Sequence, residues 1–283
     1  ALFFLQLIIF WMADLTLIIV GPTATGKTSL ALKLAEKFNG DLISADSRLV
    51  YKGLDIITGK DIPEGFVWKG GRFTNGKINI YGYNLVAPDQ DWNVALFHRY
   101  ALKTIKAIHS KNRLPIIVGG TGLYINSLLT NFHPPSGPNS KLRHLLEKLS
   151  LADLQTKLNQ LSPAKLNTMN HSDQLNPRRL IRAIEIASSP SSPKTSFPSF
   201  DSLVVGLSAP ISIIEKNIVS RVTNRLNQDY SSELGYLKNF NLKPRSPAFS
   251  SLGYHELDQF QNNQITKEEL ITDSTPTAGP KDA

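Results

Sequence analysis

The sequence predicts an α/β protein, a parallel sheet flanked by helices and interrupted by a helical insertion. Three observations carry this reading. Residues 16–20, TLIIV, form a continuous apolar run of the kind buried on both faces of a parallel sheet. A Gly-rich turn follows, then a stretch with Leu30, Leu34 and Phe38 at helical spacing, then the short strand Asp41-Leu-Ile-Ser-Ala-Asp46. That order is a βαβ unit with a right-handed crossover. Finally, a basic segment with helical patterning, residues 141–187, precedes another apolar strand at 203–207, so the sheet resumes after an insertion.

The first helix ends at Asn39-Gly40. Residues 57–86 are rich in glycine with interspersed Trp68, Phe73, Ile78, Ile80 and Tyr81, and read as loops around a small hairpin. Residues 93–109 place Val94, Phe97, Ala101, Ile105 and Ile108 on one helical face. Residues 114–118 form a buried strand, Gly119-Gly-Thr-Gly122 a tight turn, and 123–129 a helix. The Pro-rich stretch 131–138 is a connector, 188–199 is a Ser/Pro-rich loop, and 272–283 has the composition of a disordered tail. The expected organisation is an upstream extension at 1–11 with Met12 as natural start, the first part of the core at 12–132, and the insertion at 133–187. The resumed core with C-terminal helices then occupies 188–271, ahead of the tail.

The chain carries 31 Lys and Arg against 23 Asp and Glu, a net +8, which suits polyanionic partners without identifying one. It has no cysteine, which excludes disulfides, thiolate metal sites and a Cys nucleophile, and accords with a reducing, cytoplasmic setting. The apolar start, ALFFLQLIIFW, lacks a basic leading region, and its continuation to Val20 is needed as the strand before the loop, so no membrane span is expected.

The run Gly21, Pro22, Thr23, Ala24, Thr25, Gly26, Lys27, Thr28 fits G-x-x-x-x-G-K-S/T with a strand before it and a helix after it. Its amides and the helix N-terminus form an anion cradle, Lys27 supplies charge, and the Thr28 hydroxyl suits Mg²⁺. The fold is therefore expected to be P-loop NTPase-like. Loop NTPases also use a second-strand Asp for the metal, yet the strand at 114–118 runs into Gly119-Gly120 with no acid. Asp46, at the end of the next strand, is expected in the same crevice, as proton acceptor, metal ligand or simple turn cap. Thr121 and the neighbouring amides are candidate anion or base contacts. Arg178 and Arg182, four apart with Arg179 beside them, read either as a phosphate-tracking stripe or as a solvated basic face. Arg221 and Arg225, also four apart, are placed to reach the crevice.

Taken in order, GPTATGKTSLA, LISADSRLVYKGLDI, LPIIVGGTGLYI, NPRRLIRAIEI and SLGYHEL resemble the motifs of the tRNA dimethylallyltransferases, over roughly residues 17–270. The resemblance implies transfer of dimethylallyl from dimethylallyl diphosphate to N6 of the adenine adjacent to the anticodon, position 37, with release of diphosphate. It implies that the loop, Thr23 to Thr28, holds a leaving group rather than ATP, that Asp46 is the general base, and that Arg221 assists the diphosphate. It places tRNA contacts on Asp46, Ser47, Arg48, Leu49, Thr121, Arg178, Arg179 and Arg182. A monomer with Mg²⁺ as cofactor is expected. Three departures stand out: Leu49 replaces a usual Gln, Ile57 and Gly59 alter a segment that normally reads Gly-Thr-Ala-Lys, and the family's basic, aromatic continuation past Leu270 gives way to the Pro/Gly-rich tail.

Three other readings compete. A free-nucleotide isopentenyltransferase would share the loop and Asp46 but lack the basic insertion. A P-loop small-molecule kinase would need the acid missing after Val118. A non-catalytic RNA-binding module would bind tRNA without turnover.

Overall fold

The computed structural model describes residues 14–130, 132, 137, 139–189, 200–240 and 254–274. The expected extension at 1–11 and the connector at 133–136 lie outside the described residues, as does most of the Ser/Pro-rich loop. Chain contacts divide the described residues into two units: 14–130 with 200–274, and 132–189.

The first unit is built on a seven-stranded sheet. In chain order its strands are β1 (Thr16–Val20), β2 (Gly40–Ser44), β3 (Val67–Lys69), β4 (Arg72–Thr74), β5 (Asn79–Tyr81), β6 (Leu114–Gly119) and β7 (Ser202–Gly206). Their spatial order is β3-β4-β5-β2-β6-β1-β7. The β5-β2-β6-β1-β7 block is parallel, and β3 and β4 add antiparallel strands at one edge. The hairpin expected among the glycines is thus joined to the main sheet rather than separate from it. The parallel register aligns Val20 with Gly119 and Gly206, and Ser44 with Val118, so four strands end along one line.

Alternation along the strands sorts residues to two cores. Leu17 and Ile19 join Leu42, Ile116 and Val118 against α1 (Lys27–Lys37), which contributes Ala31, Leu34 and Ala35. Ile18, Ile43 and Ile117 face the other side, against Phe97, Ala101, Ile105 and Ile108 of α2 (Val94–His109) and Tyr124, Ile125 and Leu128 of α3 (Gly122–Leu129). Leu17, Ile18 and Ile19 are at most 1% exposed; burying each contributes about 1.5–3 kcal/mol. Asn93 caps α2 by accepting from the amides of Ala95 and Leu96.

Two sequence expectations take a definite form and one is corrected. The first helix ends as expected at Asn39-Gly40, with Asn39 left-handed at φ 49°. Gly40 opens β2, where a Cβ would lie 2.9 Å from Ile116 Cδ1 and 3.0 Å from the Leu114 carbonyl. Strand β7 resumes the sheet as expected, at its edge and with alternating exposure. The expected tail begins inside a helix, which runs through Ser274; residues 275–283 lie outside the described residues.

After β7 come α9 (Ile211–Leu226), α10 (Ser231–Lys238), α11 (Tyr254–Gln261) and α12 (Lys267–Ser274). Leu234, Leu237, Tyr254, Leu257 and Leu270 from the last three pack on Val50, Tyr51, Leu54 and Ile57, in the segment after β2.

The second unit is helical: α4 (Ser140–Leu146), α5 (Leu151–Leu161), α6 (Pro163–Thr168), α7 (His171–Gln174) and α8 (Pro177–Ala187). Leu146, Leu154, Leu158, Met169, Leu180, Ile181 and Ile184 form its own core. Glu185 is buried there, paired with Arg143 at 2.7 Å and Arg182 at 3.2 Å. Among the described residues, no helix is long and apolar enough to cross a membrane.

Candidate active site

The line of strand ends is where the sequence-predicted residues of the first unit meet. Gly21 leaves β1 with φ 150°, and a Cβ there would fall 2.3 Å from the Leu207 carbonyl oxygen. The turn then passes through two left-handed residues, Ala24 at φ 65° and Gly26 at φ 83°, before Lys27 opens α1. Glycine is the residue for such geometry. Thr25 Oγ1 donates to the Pro22 carbonyl at 2.9 Å, and Lys27 Nζ folds over the loop to donate to the same carbonyl at 2.5 Å. Thr23 is exposed and Thr28 half-buried in the first turn of the helix. The helix begins without a side-chain cap, so its first amides are left to a ligand.

Strand β6 separates the loop from Asp46, and it approaches the adjoining backbone closely. A Cβ on Gly119 would sit 2.3 Å from the Ala45 carbonyl oxygen, which is a physical reason for glycine where an acid was looked for. Thr121 ties the two loops together: its Oγ1 accepts from the Ser47 amide at 3.3 Å and its amide donates to Ala45 at 3.4 Å. Asp46 Oδ1 accepts from the Arg48 amide at 2.8 Å, so Asp46 does cap its turn, one of the roles weighed from sequence. The same carboxylate also acts on Lys27. Burial lowers the Lys27 ammonium below its ordinary value, the Asp46 charge opposes that shift, and Arg221 adds to it.

Arg221 arrives from α9, its Nη2 paired with Asp61 Oδ2 at 2.5 Å and donating to the Gly59 carbonyl at 2.8 Å. One turn earlier on that helix, Asn217 Nδ2 donates to Ala24 at 2.9 Å. Asn217 was not anticipated, although its spacing of four from Arg221 is the signal that would have found it. Leu49 is half-buried against the first core, so its side chain packs rather than presenting a polar group. Burial pushes the Tyr51 and Tyr124 hydroxyls up, and the charge of half-buried Arg48 offsets that rise only in part.

The altered Ile57-Thr58-Gly59-Lys60 segment is held from both sides. Lys60, buried, donates to Asp55 at 2.8 Å and Asn84 at 2.5 Å and also to the Tyr51 carbonyl. Glu233 accepts from the amides of Asp55, Ile56 and Ile57.

Arg178, Arg179 and Arg182 belong to the second unit. Arg178 is exposed, Arg179 pairs with Asp173, and Arg182 turns toward buried Glu185. The sequence's three-arginine stripe is therefore unequal in structure: two of its members hold acids of their own unit.

A parallel-dominated α/β sheet flanked by helices, with the glycine-rich loop and Asp46 at its strand ends and Arg221 reaching in from α9, defines a P-loop-like fold. A family model described as IPP transferase matches residues 49–276, and the chain belongs to that family. The matched stretch begins after the loop and Asp46, which stand on their own geometry. The tRNA dimethylallyltransferase of Pelotomaculum thermopropionicum is 34% identical over 266 residues, covering 90% of this chain and 81% of the relative. That of Carboxydothermus hydrogenoformans is 33% identical over 273 residues, with 92% and 84% covered. The crystal structure of the tRNA isopentenylpyrophosphate transferase of Bacillus halodurans matches with TM-score 0.62 at 29% identity, over 93% of this chain and 82% of that one. A eukaryotic dimethylallyltransferase acting on tRNA shares the fold at TM-score 0.74 and 22% identity, over 93% of this chain and 66% of that one.

Proposed function

We propose that this chain is a tRNA dimethylallyltransferase that moves the dimethylallyl group of dimethylallyl diphosphate to N6 of the adenine next to the anticodon. The observation that carries the reading is the meeting at Lys27. The charges of Asp46 and Arg221 both act on its ammonium, the loop and Asp46 follow aligned strand ends, and Asn217, one turn from Arg221 on α9, donates to Ala24 of the loop at 2.9 Å.

The step balances as follows. N6 forms a bond to the allylic carbon, the carbon–oxygen bond to diphosphate breaks, the electron pair leaves on the bridging oxygen, and the N6 proton passes to Asp46. Loop amides, Lys27 and Arg221 meet the growing charge where it develops. Asp46 makes the weakly nucleophilic amine reactive by accepting its proton as the bond forms. The adenine must leave its stack to reach Asp46, at a cost of a few kcal/mol.

Mg²⁺ belongs to the same proposal. Among the described residues no group of three or more His, Cys, Asp or Glu is placed to hold a metal. The Thr28 hydroxyl, with substrate oxygens and water, would hold the ion, which fits a cation that keeps most of its waters. Bound there, Mg²⁺ would neutralise diphosphate charge. The absence of cysteine suits the cytoplasm as working compartment.

Transfer of labelled dimethylallyl from its diphosphate to an unmodified tRNA tests the reading. Asp46→Ala is expected to keep inorganic diphosphate binding and lose transfer by about 10²–10⁴-fold. Intact protein that labels free AMP and not tRNA would reassign it to free nucleotides, and γ-phosphate transfer from ATP would make it a kinase.

A further inference from the structure

One face of α9 carries Asn217, Arg221 and Arg225 at successive intervals of four residues, each about 6 Å further along the axis. Asn217 holds the phosphate loop and Arg221 has its own acceptors at Gly59 and Asp61. Arg225 is unlike them. Its guanidinium lies against Gly59 so closely that a Cβ on that residue would fall 1.6 Å from Nη2 and 2.3 Å from Cζ. No carboxylate among the described residues lies within ion-pair distance of it, and its Nε is buried with no hydrogen-bond partner. The Nε of Arg221 is likewise buried and unpartnered.

Two guanidiniums thus converge on one glycine, and among the described residues the carboxylate ion-paired there is Asp61, bound to Arg221 and with its side chain 63% exposed. Burial, with the like charge of Arg221 adding to it, pushes the Arg225 guanidinium down to about 10. A desolvated cation with an unused donor and a like charge beside it is unfavourable by itself and becomes favourable when an anion arrives.

We propose that Arg225 is a second arginine of the diphosphate site, joining Arg221 on the phosphate that lies farther from the loop. The proposal rests on the reading of the loop as a diphosphate cradle. Three observations favour a small anion in the crevice over an RNA backbone. Arg225 is half-buried rather than exposed. Its neighbour on the stripe, Arg221, acts on Lys27 of the loop. The space it fills exists because this chain has Gly59 where the resembled segment carries Ala.

Isothermal titration of the full chain with inorganic diphosphate and Mg²⁺, without RNA, tests it. Arg225→Met keeps the length of the stem and removes the charge; a loss of about tenfold in diphosphate affinity is expected, with less than twofold change for inorganic monophosphate. Arg225→Lys should recover part of the loss, because it restores charge without the planar fork. Should Arg225→Met melt early, Arg225→Lys carries the measurement alone, with an intermediate loss expected. Diphosphate affinity unchanged in folded Arg225→Met and Arg225→Lys overturns the proposal, as does an equal loss for both anions. Weakened tRNA binding with diphosphate affinity intact also overturns it and hands the residue to the RNA. Wild-type protein that binds no diphosphate overturns the loop reading itself.

Discussion

Lys27 shows how one side chain can be read as a charge waiting for its partner. Its ammonium is lowered mainly by burial, and its near acceptor is a backbone carbonyl of the loop. A bound diphosphate would favour the charged form and raise that value again. Because the ligand-free group loses its proton below the ordinary lysine range, diphosphate affinity is expected to fall as pH rises through the lowered value. Binding measured there in buffers of different ionisation enthalpy should show proton uptake. Lys27→Met should abolish the uptake along with most of the affinity. Gly59 makes a complementary case at the same scale. Its φ of +68° and its contact with Arg225 both resist a side chain. Gly59→Ala is therefore expected to cost about 1–3 kcal/mol in a denaturant melt. Adding Arg225→Ala should relieve the steric part and leave the backbone part.

At the scale of elements, the parallel strands and the helices between them were legible because apolar runs and helical spacing agree with the turns around them. The loop was legible for the same reason: strand, glycines, Lys27, Thr28 and helix all point one way. What escaped was whatever depends on contacts between distant segments. Gly40 reads as a helix terminator from its neighbours, but the approach of Ile116 and Leu114 makes it a strand residue. Asp61 carries no local signal and Asn217 only its spacing from Arg221, and the role of each exists only once α9 lies beside the loop. Glu233 is the same kind of residue, holding three consecutive amides almost 180 positions away in the chain. Glu233→Ala leaves those amides without their acceptor, and a loss of about 1–3 kcal/mol is expected from thermal or urea unfolding. Because Gly59 lies two residues beyond Ile57, transfer activity should fall in folded Glu233→Ala protein as well. A variant that unfolds earlier but transfers at the wild-type rate would limit Glu233 to stability.

Over the whole molecule, a net +8 says that a polyanion is welcome but not where it lies. The helical unit makes the difference between its arginines testable. Arg178 is exposed, whereas Arg182 is tied to Glu185, which is 1% exposed and shares its carboxylate with Arg143. If the basic unit grips tRNA, binding should weaken steeply with salt, and Arg178→Ala should reduce the slope of log K against log salt by about one contact while leaving the melting temperature in place. Arg182→Ala should behave in the opposite way. It removes one of two ion-pair partners from a buried carboxylate, so its main expected effect is a loss of about 1–3 kcal/mol in stability. Filter-binding titrations over a salt series, set beside thermal melts of both variants, separate the two roles. Equal salt slopes for wild type and Arg178→Ala would leave the exposed arginine as a solvated face and move the RNA contacts to other cations of this unit.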